Sequence, residues 1–378
     1  MYELSNKCST ALNWREKLKD LCIFLNSDEK VSMEQSEMGN ISRRAQGSAA
    51  KISVTFSVKD RDGCMHTADD DIIVCFGGAT DNYLFLESCD IISLTHKRII
   101  RHTLPTPVPP SKRWLHTVTS IGNKVLVLGG SGVQNHYHDF NQGSFILSVE
   151  ANRDCSGYQI HKSSLLLEDI SALPERRAGH TVTTYNVDGG TTKILLFGGQ
   201  TSHHRYLNDV YTADCTNYTP SHILHNPPAR VKITWKLVQC SGSYPRPRHC
   251  HSAVYLEKNR RILIFGGWAG PHEFLNDVHL LDVDVFSWSR VNTEGVPPCP
   301  RCQTNIFLVP PVQAKPEFAT SEGYLLVYGG ACHYAVCDVT YDSIRRWEPL
   351  FTNVVLALHV CYLVKSRSKT KIGLHTVR

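Results

Sequence analysis

The sequence lacks long apolar runs and a secretory leader. Its longest apolar runs, Leu21 to Leu25 and Val354 to Val364, are far shorter than the ~20 residues that a helix needs to cross a bilayer. Charged side chains are interspersed through the first 25 residues, so no signal-peptide core is present. We therefore expect a cytoplasmic or nuclear protein without a membrane partner.

A large charge excess and the common catalytic motifs are also missing. The 378 residues carry 40 basic and 35 acidic side chains, and the net charge of +5 is too small to indicate a nucleic-acid partner. No Gly-rich phosphate-binding loop, nucleophile elbow or HExxH motif is present. We expect a protein that is not an enzyme and that needs no cofactor.

A disulfide framework is not expected, although cysteine is plentiful. The 14 cysteines are scattered from Cys8 to Cys361 in a chain without a secretory leader, which favours free thiols. Apolar residues make up 42% and charged residues 20%, as is typical of a folded globular protein.

What the sequence does contain is a repeat. Five times, an apolar run that is rich in β-branched residues ends in two glycines, at intervals of 52 to 69 residues. Each run is typical of a buried strand that stops at the glycines. The pairs are Gly77 and Gly78, Gly129 and Gly130, Gly198 and Gly199, Gly266 and Gly267, and Gly329 and Gly330.

Other residues keep a fixed place relative to these glycines. Upstream, an Arg stands three residues before a His: Arg113 and His116, Arg177 and His180, Arg248 and His251. The first cycle has His66 with Arg61, and the fifth has Arg301 with Thr304 in the His position, so we interpret both as degenerate copies. Downstream come an Asp and then a Trp: Asp209 and Asp277, with Asp90 and Asp338 nearby, then Trp235, Trp288 and Trp347.

This order of residues resembles the kelch repeat, over roughly Lys51 to Leu350. The resemblance implies an all-β fold, a β-propeller with four-stranded antiparallel blades around a central channel. Residues that recur once per repeat usually build the repeat, so we interpret the glycines, Arg, His and Trp as architecture. The glycines let a strand end bend, the Trp fills space between blades, and Arg and His satisfy carbonyls at the turn.

The ends of the chain give four predicted segments. Residues 1–26 contain a short amphipathic helix, 27–50 form a flexible linker, 51–364 form the propeller, and 365–378 are a basic tail. Five blades are recognisable. We expect the strand-like runs Ile52 to Val58 and Val354 to Val364 to pair as a degenerate closing blade.

One loop face is a candidate binding surface. Successive strands reverse direction, so the loops after Gly-Gly and those before each Arg lie at the same end. These loops are rich in His and aromatic residues, which favours a protein partner there. The candidates are His203, His204, Tyr206, Trp268, His272, Phe274 and His333.

Three functions stay open from the sequence alone. The kelch resemblance implies most often a non-enzymatic scaffold for protein partners. The first alternative is the substrate-recognition subunit of a ubiquitin ligase, with the segment around Cys8 to Cys22 as a vague likeness to the end of an F-box. The second is a metal-dependent kelch-fold enzyme. A speculative zinc or redox site would use Cys299, Cys302, Cys332, His333 and Cys337.

Overall fold

The structure is a computed structural model. It describes residues 48–376 except 60–64, 80–83, 95–97, 103–111, 134–135, 142, 153–156, 168–170, 188–191, 219–229, 271–272, 295–299, 310–320, 329, 333–349, 352–354 and 362–370. The predicted helix within residues 1–26 and Trp347 therefore lie outside the described residues. No helix in the described part is long and apolar enough to span a bilayer.

Nearly all regular structure in this part is β-strand. A short 3₁₀ helix spans Glu257–Asn259. The strands are β1 (Ser48–Lys59), β2 (Met65–Phe76), β3 (Cys89–Ser93), β4 (Arg98–His102), β5 (Thr117–Ile121), β6 (Lys124–Leu128), β7 (Phe145–Ala151), β8 (Tyr158–Ser164), β9 (Leu166–Leu167), β10 (Thr181–Asn186), β11 (Thr192–Gln200), β12 (Tyr206–Tyr218), β13 (Arg230–Val238), β14 (Ser241–Gly242), β15 (Ser252–Leu256), β16 (Arg261–Gly270), β17 (Glu273–Asp282), β18 (Ser287–Glu294), β19 (Arg301–Cys302), β20 (Asn305–Val309), β21 (Ser321–Tyr328), β22 (Ala331–Cys332), β23 (Leu350–Phe351), β24 (Val355–Cys361) and β25 (Lys371–Thr376).

Most of these strands form five blades, each built on four antiparallel strands. Blade I is β1 to β4, blade II is β5 to β8, blade III is β10 to β13, blade IV is β15 to β18, and blade V is β20, β21, β24 and β25. The short β9 adds to blade III, a parallel pairing of β18 with β25 joins blades IV and V, and β19, β22 and β23 form a small separate sheet. The first strand of each blade contacts the first strand of the next, from β1 through β5, β10 and β15 to β20. The first strands therefore lie nearest the centre. The predicted all-β propeller is confirmed.

Alternating side chains build the cores between blades. In β1, Ala50, Ile52 and Val54 are buried, whereas Lys51 and the other intervening residues up to Thr55 are exposed. The buried residues of β1 pack with blade II in one hydrophobic cluster. Three further clusters join blades II and III, III and IV, and IV and V. Each blade is thus stabilised by burying apolar area against its neighbours.

The predicted closing blade is wrong. Residues 52–58 belong to β1, which pairs along its whole length with β2. Residues 355–361 form β24, the third strand of blade V, which pairs with β21. Each run finds its antiparallel partner in the neighbouring segment of its own blade. Neither run is left to pair with the other end of the chain.

Two predicted boundaries also shift. The first blade begins at Ser48, inside the segment predicted as a linker over 27–50. At the other end, β25 (Lys371–Thr376) lies within the segment predicted as a basic tail over 365–378 and pairs with β24. Its basic composition hid the alternation of Ile372 and Leu374 with more polar residues. A short segment interpreted by its charge alone does not reveal a strand.

The predicted position of the His in the first repeat also differs from the structure. In blades II to IV, the residue after the His pairs with the residue before Gly-Gly, as Thr181 pairs with Phe197. In blade I, Ser48 pairs with Phe76 in the same way, so Ser48 follows the His position. His66 instead lies within β2, opposite Val58. The His position of blade I is therefore residue 47, directly before Ser48, and it lies outside the described residues.

Candidate functional site

Blades meet where the second strand of each blade ends and the next blade begins. We call this end of the propeller the Gly-Gly face. The Gly199 amide donates to the Arg248 carbonyl of the next blade at 2.9 Å, and Gly78 and Gly130 make the same bond to Arg113 and Arg177. A Cβ on Gly198 would stand 2.8 Å from the Arg248 carbonyl oxygen. The glycines are therefore required because two blades approach each other closely here.

Two arginines of the repeat, Arg177 and Arg248, are buried ion-pair partners. The Arg248 side chain is completely buried and donates to both Asp277 carboxylate oxygens, at 2.6 and 2.9 Å, and to the Gly266 carbonyl at 2.9 Å. Arg177 makes the same bidentate pair with Asp209. Burial alone raises the pKa of Asp277, but hydrogen bonds from Arg248 and His279 outweigh burial and hold it below its usual range.

The histidines of the repeat link adjacent blades. His180 Nε2 lies 3.1 Å from Thr117 Oγ1, and His251 Nε2 lies 2.8 Å from Thr181 Oγ1. Burial lowers the pKa of both rings well below the usual value, so both are neutral. In blade V, Thr304 replaces the His, and its hydroxyl lies 2.6 Å from Ser252 Oγ. The degenerate copy therefore keeps the inter-blade hydrogen bond.

A chain of backbone hydrogen bonds crosses the blades beside these histidines. The residue before each His position is Leu115, Gly179, Cys250 or Gln303, and all four adopt a left-handed conformation. The amides of Gly179, Cys250 and Gln303 each donate to the carbonyl of the preceding residue in this series, at 2.8, 2.6 and 2.7 Å. The sequence does not predict this series of hydrogen bonds, because the four residues at the position are of different types.

An aromatic residue recurs seven residues after the second glycine. The four copies are Phe85, Tyr137, Tyr206 and Phe274. Each pairs with the residue that follows the glycines in its own blade, as Phe274 pairs with Trp268. Tyr206 and Phe274 were predicted as site residues, whereas Phe85 and Tyr137 were missed. Their constant offset of seven was the available signal.

Four aromatic rings lie side by side in a row on the Gly-Gly face of blades III and IV. Tyr206 and His249 have ring centroids 5.2 Å apart, His249 and Trp268 are stacked at 5.2 Å, and Trp268 and Phe274 are stacked at 5.5 Å with nearly parallel planes. We call these four residues the aromatic row. His249 was not predicted, yet it joins the predicted Tyr206 to the predicted Trp268.

The aromatic row is uncharged and rests on buried thiols. Burial lowers the pKa of His249 to about 4 and raises that of Cys250 to about 12. Cys250 and Cys302 form a buried cluster against which Trp268 and Phe274 pack. Neither the histidine nor the Cys250 thiol is ionised near neutral pH.

Three exposed ion pairs lie on the Gly-Gly face, and two of them include the residue that precedes Tyr206 or Phe274. Arg176 pairs with Asp139 at 3.2 Å, Arg205 pairs with Glu175, and Arg246 pairs with Glu273. The arginines of these pairs are therefore neutralised by carboxylates of the same protein. An apolar centre with a polar rim is the arrangement found in protein interfaces.

The comparisons with known proteins agree with this architecture. The model of the KLHDC2/KLHL20/DRC7 Kelch-repeats domain matches residues 158–348. The chain belongs to the kelch-repeat family. The resemblance found in the sequence is thereby confirmed.

Individual relatives match over parts of this kelch propeller. Dynein regulatory complex subunit 7 of Chlamydomonas reinhardtii is 35% identical over 130 residues, which is 34% of this chain and 9% of that protein. Acyl-CoA-binding domain-containing protein 4 of Arabidopsis thaliana is 31% identical over 232 residues, 61% of this chain and 29% of that protein. Host cell factor 1 of Homo sapiens is 25% identical over 255 residues, 64% and 11% respectively. The chain spans less than a third of each of these relatives.

The remaining predicted binding residues divide into two groups. His203 and His204 are exposed on the loop between β11 and β12, where His204 is left-handed and its Nδ1 lies 2.9 Å from Gln200 Nε2. Among the described side chains, neither makes a ring contact with the aromatic row. His272 and His333 lie outside the described residues.

The speculative metal site of the kelch propeller is only partly described. Arg301 pairs with Cys332 and Cys302 pairs with Ala331, so Cys302 and Cys332 lie at one end of blade V. Cys299 and Cys337 fall outside the described residues. Within the residues that the structure covers, no group of three or more His, Cys, Asp or Glu could hold a metal ion. The ligase alternative rests on Cys8 to Cys22, also outside that part, and stays a prediction.

Proposed function

We propose that this kelch propeller is a non-enzymatic scaffold that binds a protein partner through its Gly-Gly face. The single observation that carries the proposal is the aromatic row. Tyr206, Trp268 and Phe274 are only partly buried and lie at strand ends on this face, and the charged Arg205 and Glu273 directly precede Tyr206 and Phe274. Aromatic residues clustered within a polar rim are typical of the few residues that dominate binding free energy.

The electrostatics of the face also support a binding role over a catalytic one. A nucleophilic cysteine needs a lowered pKa, whereas burial raises that of Cys250. A general base works best with a pKa near the working pH, whereas burial moves that of His249 down to about 4. Both groups therefore pack the rings of the face rather than carry chemistry.

Site-specific photocrosslinking tests this proposal. A crosslinking amino acid replaces the exposed His203 beside the aromatic row, and in a second variant it replaces Val285, which is 69% exposed in the turn between β17 and β18 at the opposite end. We expect a protein adduct from cell extract at position 203 and not at 285. Adducts at 285 alone would move the binding surface to the other end.

A further inference from the structure

Trp268 offers a partner its ring edge and not its ring faces. Its pairing partners are His249, in an isolated bridge before β15, and Phe274 in β17. The two partners lie on opposite sides of the Trp268 backbone, so their rings flank the indole from opposite sides. The interplanar angles are 28° with His249 and 7° with Phe274, so both neighbours stack on the indole. Trp268 is nevertheless partly exposed. The indole N–H donates to the Gly270 carbonyl, so the edge left for a partner is the carbon edge of the ring.

The edge of an aromatic ring attracts a different kind of ligand than the face of the ring does. The face carries the negative part of the ring quadrupole and attracts Lys or Arg, but here both faces are covered. The edge is positive and favours the face of another aromatic ring in a T-shaped pair. Capture of a cation on Trp268 is thereby disfavoured, and contact with an aromatic side chain is favoured.

The charges around the aromatic row favour an uncharged segment. Arg205 and Arg246 already pair with Glu175 and Glu273, so an acidic partner would have to displace a carboxylate of the protein. Burial lowers the pKa of His249 to about 4, so its ring adds no positive charge near neutral pH. Burial also raises the pKa of Tyr206 and of Tyr137, so both phenols stay neutral.

We infer that the aromatic row binds a partner segment through an aromatic side chain whose ring face lies on the edge of Trp268, with uncharged residues on either side. This inference rests on the proposed function and adds the chemistry of the partner. The Tyr206 phenol, at the far end of the row, supplies a neutral hydrogen-bonding group for the segment.

Four blocked peptides test the chemistry directly. Each is an acetylated and amidated Gly-Ser host peptide with Phe, cyclohexylalanine, Arg or Glu at its centre. Binding is followed by NMR through the indole N–H signal of Trp268, assigned by its loss in Trp268→Phe. We expect the Phe peptide to shift this signal and to bind about threefold to tenfold tighter than the cyclohexylalanine peptide, which has the same bulk but no ring quadrupole. The Arg and Glu peptides should bind more weakly than both.

Two variants complete the experiment. Trp268→Leu lacks the indole probe, so its binding is followed through the NMR signals of the peptide. We expect it to bind the Phe peptide about tenfold more weakly than the wild type, and its melting temperature is measured to verify folding. His203→Ser is the matched control and should leave affinity unchanged. Equal binding of Phe and cyclohexylalanine, tighter binding of Arg or Glu, or an unaffected folded Trp268→Leu variant would each overturn the inference. If the photocrosslink at position 203 persists in any of these cases, the scaffold function stands and only the partner chemistry is wrong.

Discussion

At the scale of single residues, Arg248 requires its carboxylate. Its guanidinium is completely buried, and Asp277 offsets the cost of removing that charge from water through two hydrogen bonds. Arg177 and Asp209 repeat the arrangement one blade earlier. The pair is therefore a structural element of the repeat, and neither partner can be lost alone without leaving a buried charge uncompensated.

The substitution Asp277→Ala should be strongly destabilising. We expect the free energy of unfolding to fall by about 3–5 kcal/mol, because Arg248 would remain buried without its counter-charge. The control Asp284→Ala removes the exposed ion pair with Arg260 and should cost about 0–1 kcal/mol. Chemical denaturation of both variants measures the difference. Equal losses would contradict the structural role of the buried pair.

At the scale of elements, the end of each second strand controls how closely two blades approach. Gly198 has φ +63°, and a Cβ there would collide with a backbone atom that cannot rotate away. Gly122, in the turn between β5 and β6, has a similar φ of +57° but open space around the same position. A substitution at Gly122 therefore introduces only conformational strain, whereas the same substitution at Gly198 introduces both strain and crowding.

Comparison of Gly198→Ala with Gly122→Ala measures that crowding. Both variants should lose about 1 kcal/mol because alanine is strained in the left-handed region. Gly198→Ala should lose a further ~1–3 kcal/mol, since blades III and IV must move apart to admit the methyl group. Thermal or chemical unfolding of the two variants gives the values. A Gly198→Ala variant as stable as Gly122→Ala would disprove the close approach.

At the scale of the whole molecule, the blades enclose several neutral histidines. Burial lowers the pKa of His138 and His249 to about 4 and that of His180 and His251 well below the usual value. In the unfolded chain these rings titrate near ~6.5. The unfolded state therefore binds more protons than the folded state once the pH falls below that value. Their contribution to stability is fully present above ~6.5 and is lost on acidification.

Stability should consequently decline between pH 7 and pH 5. Each of the four rings contributes up to about 2 kcal/mol to the loss at pH 5. The variant His251→Gln should show a shallower dependence of unfolding free energy on pH, whatever its stability at pH 7. The exposed His203→Gln is the control and should keep the slope of the wild type. A wild-type slope that does not change below pH 6.5 would refute the prediction.

How far the sequence predicts this molecule differs between fold and site. The Gly-Gly strands, with Arg, His and Trp at fixed offsets, predict the propeller because each repeat imposes the same local geometry. The strand β25 was missed because a strand of six residues with a basic composition carries little periodicity. The candidate face was predicted from strand direction, but not the link that His249 makes between Tyr206 and Trp268.

Spacing along the chain is enough to predict the kelch resemblance, the ends of the Gly-Gly strands and the end of the propeller at which the aromatic residues gather. These features depend on spacing along the chain, which every repeat displays. Only the tertiary structure decided which strands pair at the two ends, that Thr304 keeps the hydrogen bond of a histidine, and that Trp268 exposes an edge. Those features arise where one blade meets another or where strands within a blade pair, and contacts between residues distant in sequence leave no fixed period to detect.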